Sequence, residues 1–236
     1  MLMKPESLKN YIHPIHKEGY LFIGIFAFVA ILLYTFSEIL GTIGFILTAW
    51  CVYFFRDPVR SVPQNPNLII SSADGIVTEV AIVEPPKELK LDSTEKRYRV
   101  STFLSVIDVH VNRTPIQGII EEVNYHPGQF LSAESDKASE LNERNSLVIR
   151  DEKERQFVVV QIAGLIARRI KCEVEEGQKL EKGDRIGIIR FGSRVDIYLP
   201  KGITPKVAVG QRMIAGETVI ADASSKAKKL ETVNPV

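Results

Sequence analysis

From Tyr20 to Phe55 the chain is almost wholly apolar, and the run carries a single charge, at Ser37-Glu38. Each half, 20–36 and 39–55, offers about 17 residues or about 25 Å of helix, near the short limit for crossing a bilayer. One continuous helix would leave Glu38 in mid-bilayer, at about 2.5–3.5 kcal/mol. A hairpin puts Glu38 at a polar turn instead, so the pattern predicts two apolar helices. Beyond Ser61 the period changes. Short β-branched runs follow, "LIISSADGIVTEVAIV", "YRVSTFLSVIDVHV", "GIIEEVNYH" and "SLVIRDEKERQFVVVQIAG", punctuated by turn residues that include Pro63, Pro66, Pro85 and Pro86. Such alternation predicts an all-β sandwich or barrel. The polar stretch 132–145, "SAESDKASELNERN", predicts a loop.

The β part also repeats itself. "VEEGQKLEKGDRI" (174–186) and "VAVGQRMIAGETV" (207–219) keep both glycines in register. The pattern resembles the half-barrels of lipoyl and biotinyl carriers. The expected fold is therefore mainly β, a barrel-like sandwich with two such half-barrel units, preceded by the hydrophobic helical hairpin. The expected division is an N-terminal membrane anchor, 1–60, and a β-rich domain, 61–236. Gly192-Ser193 falls between the two repeats, inside "IIRFGSRVDIYLP", where a strand interior would not otherwise take a glycine.

Charge narrows the classes. Lys4, Lys9 and Lys17 precede the hairpin, and Arg56 and Arg60 follow it, so both ends read as cytoplasmic. That reading puts the protein on the cytoplasmic membrane with its β domain facing the cytoplasm. A buried core hairpin and a cleaved signal peptide are the alternatives; against the latter stand the second apolar run and the missing Ala-x-Ala site. The net charge of +1 leaves no footprint for nucleic acid. Cys51 and Cys172 lie far apart without a Cys-x-x-Cys or paired histidines, which points to neither a disulfide framework nor a metal site.

Candidate chemistry comes from few residues. His13 and His16 precede the hairpin, and His126 in "NYHPGQF" reads as a turn residue. In "FLSVIDVHVNRTP", alternation sets Asp108, His110 and Asn112 on one strand face. Asp74-Gly75 is first of all a turn signal. A Ser, a His and an Asp on different strands are also the material of an activated nucleophile, although the G-x-S-x-G elbow is absent. Two classes stay open beside any family resemblance: a membrane-tethered half-barrel carrier or adaptor, and a membrane serine hydrolase. "SDKAS" (135–139) has a carrier-like Asp-Lys-Ala, but it lies upstream of both glycine repeats.

Five ordered blocks, "YFFRDPVRSVP", "SSADG", "FLSVIDVHVNRTP", "LNERN" and "IIRFGSRVDIYLP", resemble the phosphatidylserine decarboxylase proenzymes in their short, single-His prokaryotic form. The resemblance implies autocatalytic serinolysis between Gly192 and Ser193. Ser193 is then the nucleophile that becomes a pyruvoyl group, His110 the base and later acid, and Asp74 the residue that orients His110. The covalent pyruvoyl group would form a Schiff base with phosphatidylserine in the membrane and release phosphatidylethanolamine and CO2, with no metal and no pyridoxal phosphate. The large and small chains would stay associated, and a homo-oligomer is left open. Longer relatives carry H-x-x-H-x-P where this chain has Arg113. The resemblance offers Arg113, Asn142 and Arg144 as residues for the lipid head group.

Overall fold

Two helices occupy the apolar run, α1 (Tyr20–Phe36) and α2 (Glu38–Phe54), in the computed structural model, which describes residues 13–91, 95–128, 142–164, 169–190 and 193–224. Ser37 between them is extended, and its hydroxyl accepts from the Leu40 N–H, capping α2. Glu38 sits in the first turn of α2, where a carboxylate meets the positive end of the helix dipole. The helices touch closely: a Cβ on Gly44 would lie 2.8 Å from Ala30 Cα. Lys17–Phe36 is continuous helix with a mean hydropathy of 2.2, long and apolar enough to cross a membrane; Glu38–Phe54 is shorter.

The chain divides into two compact units between Val59 and Arg60. The second unit is built from β1 (Leu68–Ile70), β2 (Gly75–Val83), β3 (Arg97–Leu104), β4 (Val111–Arg113), β5 (Gly118–His126), β6 (Arg144–Arg150), β7 (Gln156–Ala163), β8 (Ile170–Cys172), β9 (Lys179–Leu180), β10 (Arg185–Ile189), β11 (Ser193–Leu199), β12 (Arg212–Met213) and β13 (Val219–Asp222). Eight of these strands make a curled half-barrel sheet in the order β12-β2-β3-β11-β7-β6-β5-β9. A three-stranded sheet, β4-β10-β8, and the pair β1-β13 complete the unit. Every strand pairing is antiparallel.

The glycine repeat is a structural one. Gly177, Gly183, Gly210 and Gly216 all have φ between +82° and +88°, which favours glycine. The Gly210 N–H donates to the Val77 carbonyl, and the Val77 N–H to that of Gln211. The Gly177 N–H donates likewise to Ile120, and the Ile120 N–H to Gln178. The repeat reaches further than the sequence reading took it. "GIVTEV" of β2 and "GIIEEV" of β5 are equivalent, and both carry a bulge after the third residue.

Alternation along β11 sets up two faces. Val195, Ile197 and Leu199 enter the main core with Leu104, Leu147, Val159, Ala163 and Ile189. Tyr198 lies on the opposite face with Val148, Val158, Val160 and Ile162. Two local readings change. Residues 105–108 form a turn closed by the Asp108 N–H on the Ser105 carbonyl, so the strand around His110 begins only at Val111. Arg144 and Asn145 belong to β6, because they pair with Ile162 and Gln161. Residues 132–141 and Phe191-Gly192 lie outside the described residues.

Candidate active site

Ser193 opens β11 and pairs with Leu104 on one side and Ala163 on the other. It is 0% exposed, and its Oγ has no hydrogen-bond partner among the described residues. A buried hydroxyl left this way costs about 1–3 kcal/mol, which an alanine here would not. Such a group calls for a reason other than packing.

His110 stands just before β4 and is also fully buried. Its carbonyl accepts from the Ile189 N–H (3.3 Å), which brings it beside the end of β10, four residues ahead of Ser193. Its Nδ1 lies 3.0 Å from the Asp108 carbonyl oxygen. A carbonyl can only accept, so in the neutral ring Nδ1 carries the proton and Nε2 the lone pair. Asp108 is itself held from three directions. Its Oδ2 accepts from the N–H and the hydroxyl of Ser105 (2.8 and 2.7 Å), and its Oδ1 from the Arg212 guanidinium.

Asp74 precedes β2 at the same end of the large sheet, where Ile76 opposes Phe103 and Phe103 opposes Arg194. Arg60 Nη2 donates to both carboxylate oxygens at 2.8 Å, and the Ala215 N–H to Oδ1 at 2.8 Å. Burial holds the Asp74 carboxyl above the usual carboxylate range; Arg60 and the Ala215 N–H pull it down, and the nearby Asp108 charge adds to the rise. Gly75 makes the approach possible. Its φ is +147°, and a Cβ there would sit 2.0 Å from the Phe103 carbonyl oxygen.

A chain of amides links the two sheets beside these residues. Asn145 Nδ2 donates to Gln161 Oε1 (3.0 Å), and Gln161 Nε2 donates to Asn112 Oδ1 (2.8 Å). Asn112 follows His110 by two residues, and Gln161 precedes Ala163 by two. The chain therefore clamps the histidine's segment onto the strand that pairs with Ser193.

The remaining candidates are placed differently. Arg113 is buried on β4, with Nη1 donating to the Gly183 carbonyl (2.8 Å). It packs near Arg60, both side chains lying 3.2 Å from where a Cβ on Gly216 would be. Asn142 donates from Nδ2 to the Ala163 carbonyl (2.7 Å), bracing the strand end next to Ser193. Arg144 projects from the other face of the sheet. There its Nε bonds Glu88 Oε1 (2.6 Å) in a cleft of ≈ 680 Å³ that also holds Arg99 and Tyr198. Burial, with the charge of Asp196, pushes the Tyr198 hydroxyl up to about 12.

Ser193 and Asp74 thus lie at the same end of the large sheet, on β11 and just ahead of β2, and the His110 segment lies beside the end of β10, with Arg113 near Arg60 and Arg144 apart. Sequence reading missed Arg60, the Asp108 anchor and Gln161. Gln161 had a signal, a lone amide inside "FVVVQIAG". No group of three or more His, Cys, Asp or Glu side chains fit to hold a metal ion occurs among the described residues.

Residues 47–221 match the family model described as phosphatidylserine decarboxylase. The chain belongs to the phosphatidylserine decarboxylase family. It is 54% identical over 223 residues to the phosphatidylserine decarboxylase proenzyme of Cereibacter sphaeroides, covering 94% of this chain and 96% of that one. The proenzymes of Rickettsia akari and Rickettsia felis are each 54% identical over 212 residues, covering 90% of this chain and 91% of theirs. A phosphatidylserine decarboxylase is a carboxy-lyase of phospholipid biosynthesis, and this chain is of the zymogen type.

Proposed function

We propose that the chain cuts itself before Ser193 and that this serine becomes the pyruvoyl group with which the mature enzyme decarboxylates phosphatidylserine. The observation that carries the reading is the Ser193 hydroxyl, buried at a strand start with no partner among the described residues, next to the segment of His110. In the attack, Oγ bonds to the Gly192 carbonyl carbon and its proton passes to His110 Nε2. The carbon–nitrogen bond then breaks as the Ser193 nitrogen takes up a proton, leaving an ester. The Ser193 Cα–H bond then breaks to a base as its Cβ–O bond breaks, so that the departing carboxylate ends the large chain at Gly192; water adds to the imine form of the remaining residue and ammonia leaves. A pyruvoyl carbonyl supplies the electron sink for loss of CO2.

The residues present fit that group. All of β11 after Ser193 is buried, which keeps a reactive carbonyl at position 193 away from bulk water. His110 Nε2 is the atom from which the substrate carbon regains its proton, the Asp108 carbonyl fixes the tautomer, and Asp74 stabilises the imidazolium by charge. The Arg113 guanidinium, oriented by Gly183, binds an anionic group of the lipid. Asn142 and Arg144 serve the frame, through Ala163 and Glu88 respectively. The two chains stay together after cleavage because β11 is hydrogen-bonded on both sides, to β3 and β7.

The hairpin anchors the protein in the cytoplasmic membrane, with the second unit on the cytoplasmic side. This rests on the length and hydropathy of Lys17–Phe36 and on the exposed Leu21, Phe28, Phe36, Ile39 and Ile46. The test of the whole reading is intact mass spectrometry with a CO2-release assay. The native protein should show two chains and a pyruvoyl mass at position 193, and Ser193→Ala one chain with no decarboxylase activity. Normal two-chain processing of Ser193→Ala would end it.

A further inference from the structure

The turn Ser105–Asp108 leads from β3 to His110, and its two corner residues are Val106 and Ile107. The turn is closed by the Asp108 N–H on the Ser105 carbonyl (2.9 Å) and by both Ser105 donors on Asp108 Oδ2. Turn corners ordinarily carry Gly, Pro, Asn, Asp or Ser. Here two branched apolar side chains stand at the corners instead, each at least 41% exposed. Arg212 of β12 reaches the same Asp108 from across the gap. Ile214 follows two residues on, and Val209 lies in the preceding turn, Ala208–Gln211. Val106, Ile107, Val209 and Ile214 are between 39% and 61% exposed. The Arg212 side chain is 58% exposed, although the carboxylate that holds it is buried.

This rim borders the end of the sheet that holds Ser193. Leu104, the residue before the turn, is the strand partner of Ser193. Ala215, the residue after Ile214, donates to Asp74. We infer that the rim is a docking surface for an anionic phospholipid bilayer. Val106, Ile107, Val209 and Ile214 enter the acyl boundary, and Arg212 meets lipid phosphate.

Charge and access identify the partner. An oriented guanidinium set among exposed apolar side chains, with its carboxylate buried beneath, matches the phosphate level of a membrane surface with acyl chains below. Ser193 is fully buried, so a two-chain lipid must leave its bilayer to reach it, and this rim borders the end of the sheet that holds it. Docking also bears on the chemistry, because the aspartate that closes the turn holds the His110 tautomer. The inference rests on the serine-based decarboxylation proposed above.

The test uses the full chain in phosphatidylserine nanodiscs, with Val106→Ser and Ile107→Ser combined. CO2 release is compared for phosphatidylserine in the bilayer and for a short-chain phosphatidylserine monomeric in water, and self-cleavage is read on a gel. We expect kcat/KM on the bilayer substrate to fall about tenfold, from two apolar side chains no longer buried in lipid. The monomeric substrate and self-cleavage should stay within about twofold, the usual span of a surface substitution. A second arm introduces Val106→Trp into a Trp50→Phe background, and brominated lipid should quench the introduced indole. Equal loss on both substrates, loss on neither, or an unquenched indole would overturn the inference. A parent protein that neither cuts itself nor releases CO2 counts against the serine-based reading instead, and the quenching arm then decides docking alone.

Discussion

Replacing Gln161 by leucine removes the centre of the amide chain that joins the two sheets. Gln161 is 0% exposed and makes two neutral hydrogen bonds, from Asn145 Nδ2 and to Asn112 Oδ1. Asn112 Nδ2 and Asn145 Oδ1 already have no partner among the described residues, so the substitution strips both buried amides of their side-chain bonds to Gln161. At about 1–3 kcal/mol for each newly unsatisfied atom, the loss is about 2–6 kcal/mol. The added apolar surface of leucine returns about 1–2 kcal/mol. At the midpoints of the two ranges the net expectation is about 2.5 kcal/mol, a large share of the roughly 5–15 kcal/mol that holds a domain together. Urea unfolding in a Ser193→Ala background, where the chain stays whole, measures it. Self-cleavage of the Ser193 form, followed on a gel, should slow as well, because the chain presses the His110 segment toward the strand beside Ser193. Converting Asn112 and Asn145 to leucine together with Gln161 should recover most of the stability, since apolar groups replace every partner. A stability change below about 0.5 kcal/mol, the ordinary scatter of surface mutants, with unaltered cleavage would refute the clamp.

Gly75→Ala should destabilise by at least about 2 kcal/mol, because its φ and the Phe103 oxygen both forbid a Cβ; unfolding curves matching the parent would contradict this. Asp74→Asn should slow self-cleavage without abolishing it. It should also change the pH dependence of stability. The folded protein binds the Asp74 proton more tightly than the unfolded chain does, where the value is near 3.8. This group's contribution is therefore fullest below that value and declines as pH rises through the folded value. Relative to Asp74→Asn, the parent should lose stability across that window, and a parent that gains instead would reverse the sign. Arg113→Ala should cut itself normally yet use phosphatidylserine poorly, whereas His110→Ala should cut poorly. The opposite pattern, read on gels and by CO2 release, would exchange the two roles.

The helix pair was legible because its constraint is local. A lone Glu38 in an apolar run forces a turn, and Ser37 caps the second helix. The glycine repeat was legible for a similar reason, since positive φ restricts the residue wherever it recurs. His110 illustrates the limit. Alternation set Asp108, His110 and Asn112 on one strand, yet the Asp108 carboxylate turns back onto Ser105 and ends the regular pattern there. The bonds that define the site span long separations, Arg60 to Asp74, Asp108 to Arg212 and Gln161 to Asn112. No local spacing encodes them. Arg144 shows the same limit from the other side: "NERN" sits near Ser193 in the fold, but strand parity turns its one arginine away.

The two halves of the repeat show where chemistry entered a structural frame. They agree at the positions that turns and bulges require, Gly75 with Gly118, Gly210 with Gly177 and Gly216 with Gly183. They part at the positions beside those turns. Where one half has Asp74, bonded to Arg60 and the Ala215 N–H, the other has Gln117, which donates to the surface carboxylate of Glu152. Where one has Arg212 on the buried Asp108, the other has Lys179, which lines a cleft with Gln117, Asp151 and Glu154. Neither difference disturbs the strand pairing, because both side chains lie outside the backbone ladder. A repeated frame with positions free to vary in one copy can thus gather charge around a strand end without disturbing the strand pairing, and the end so furnished is the one that holds Ser193.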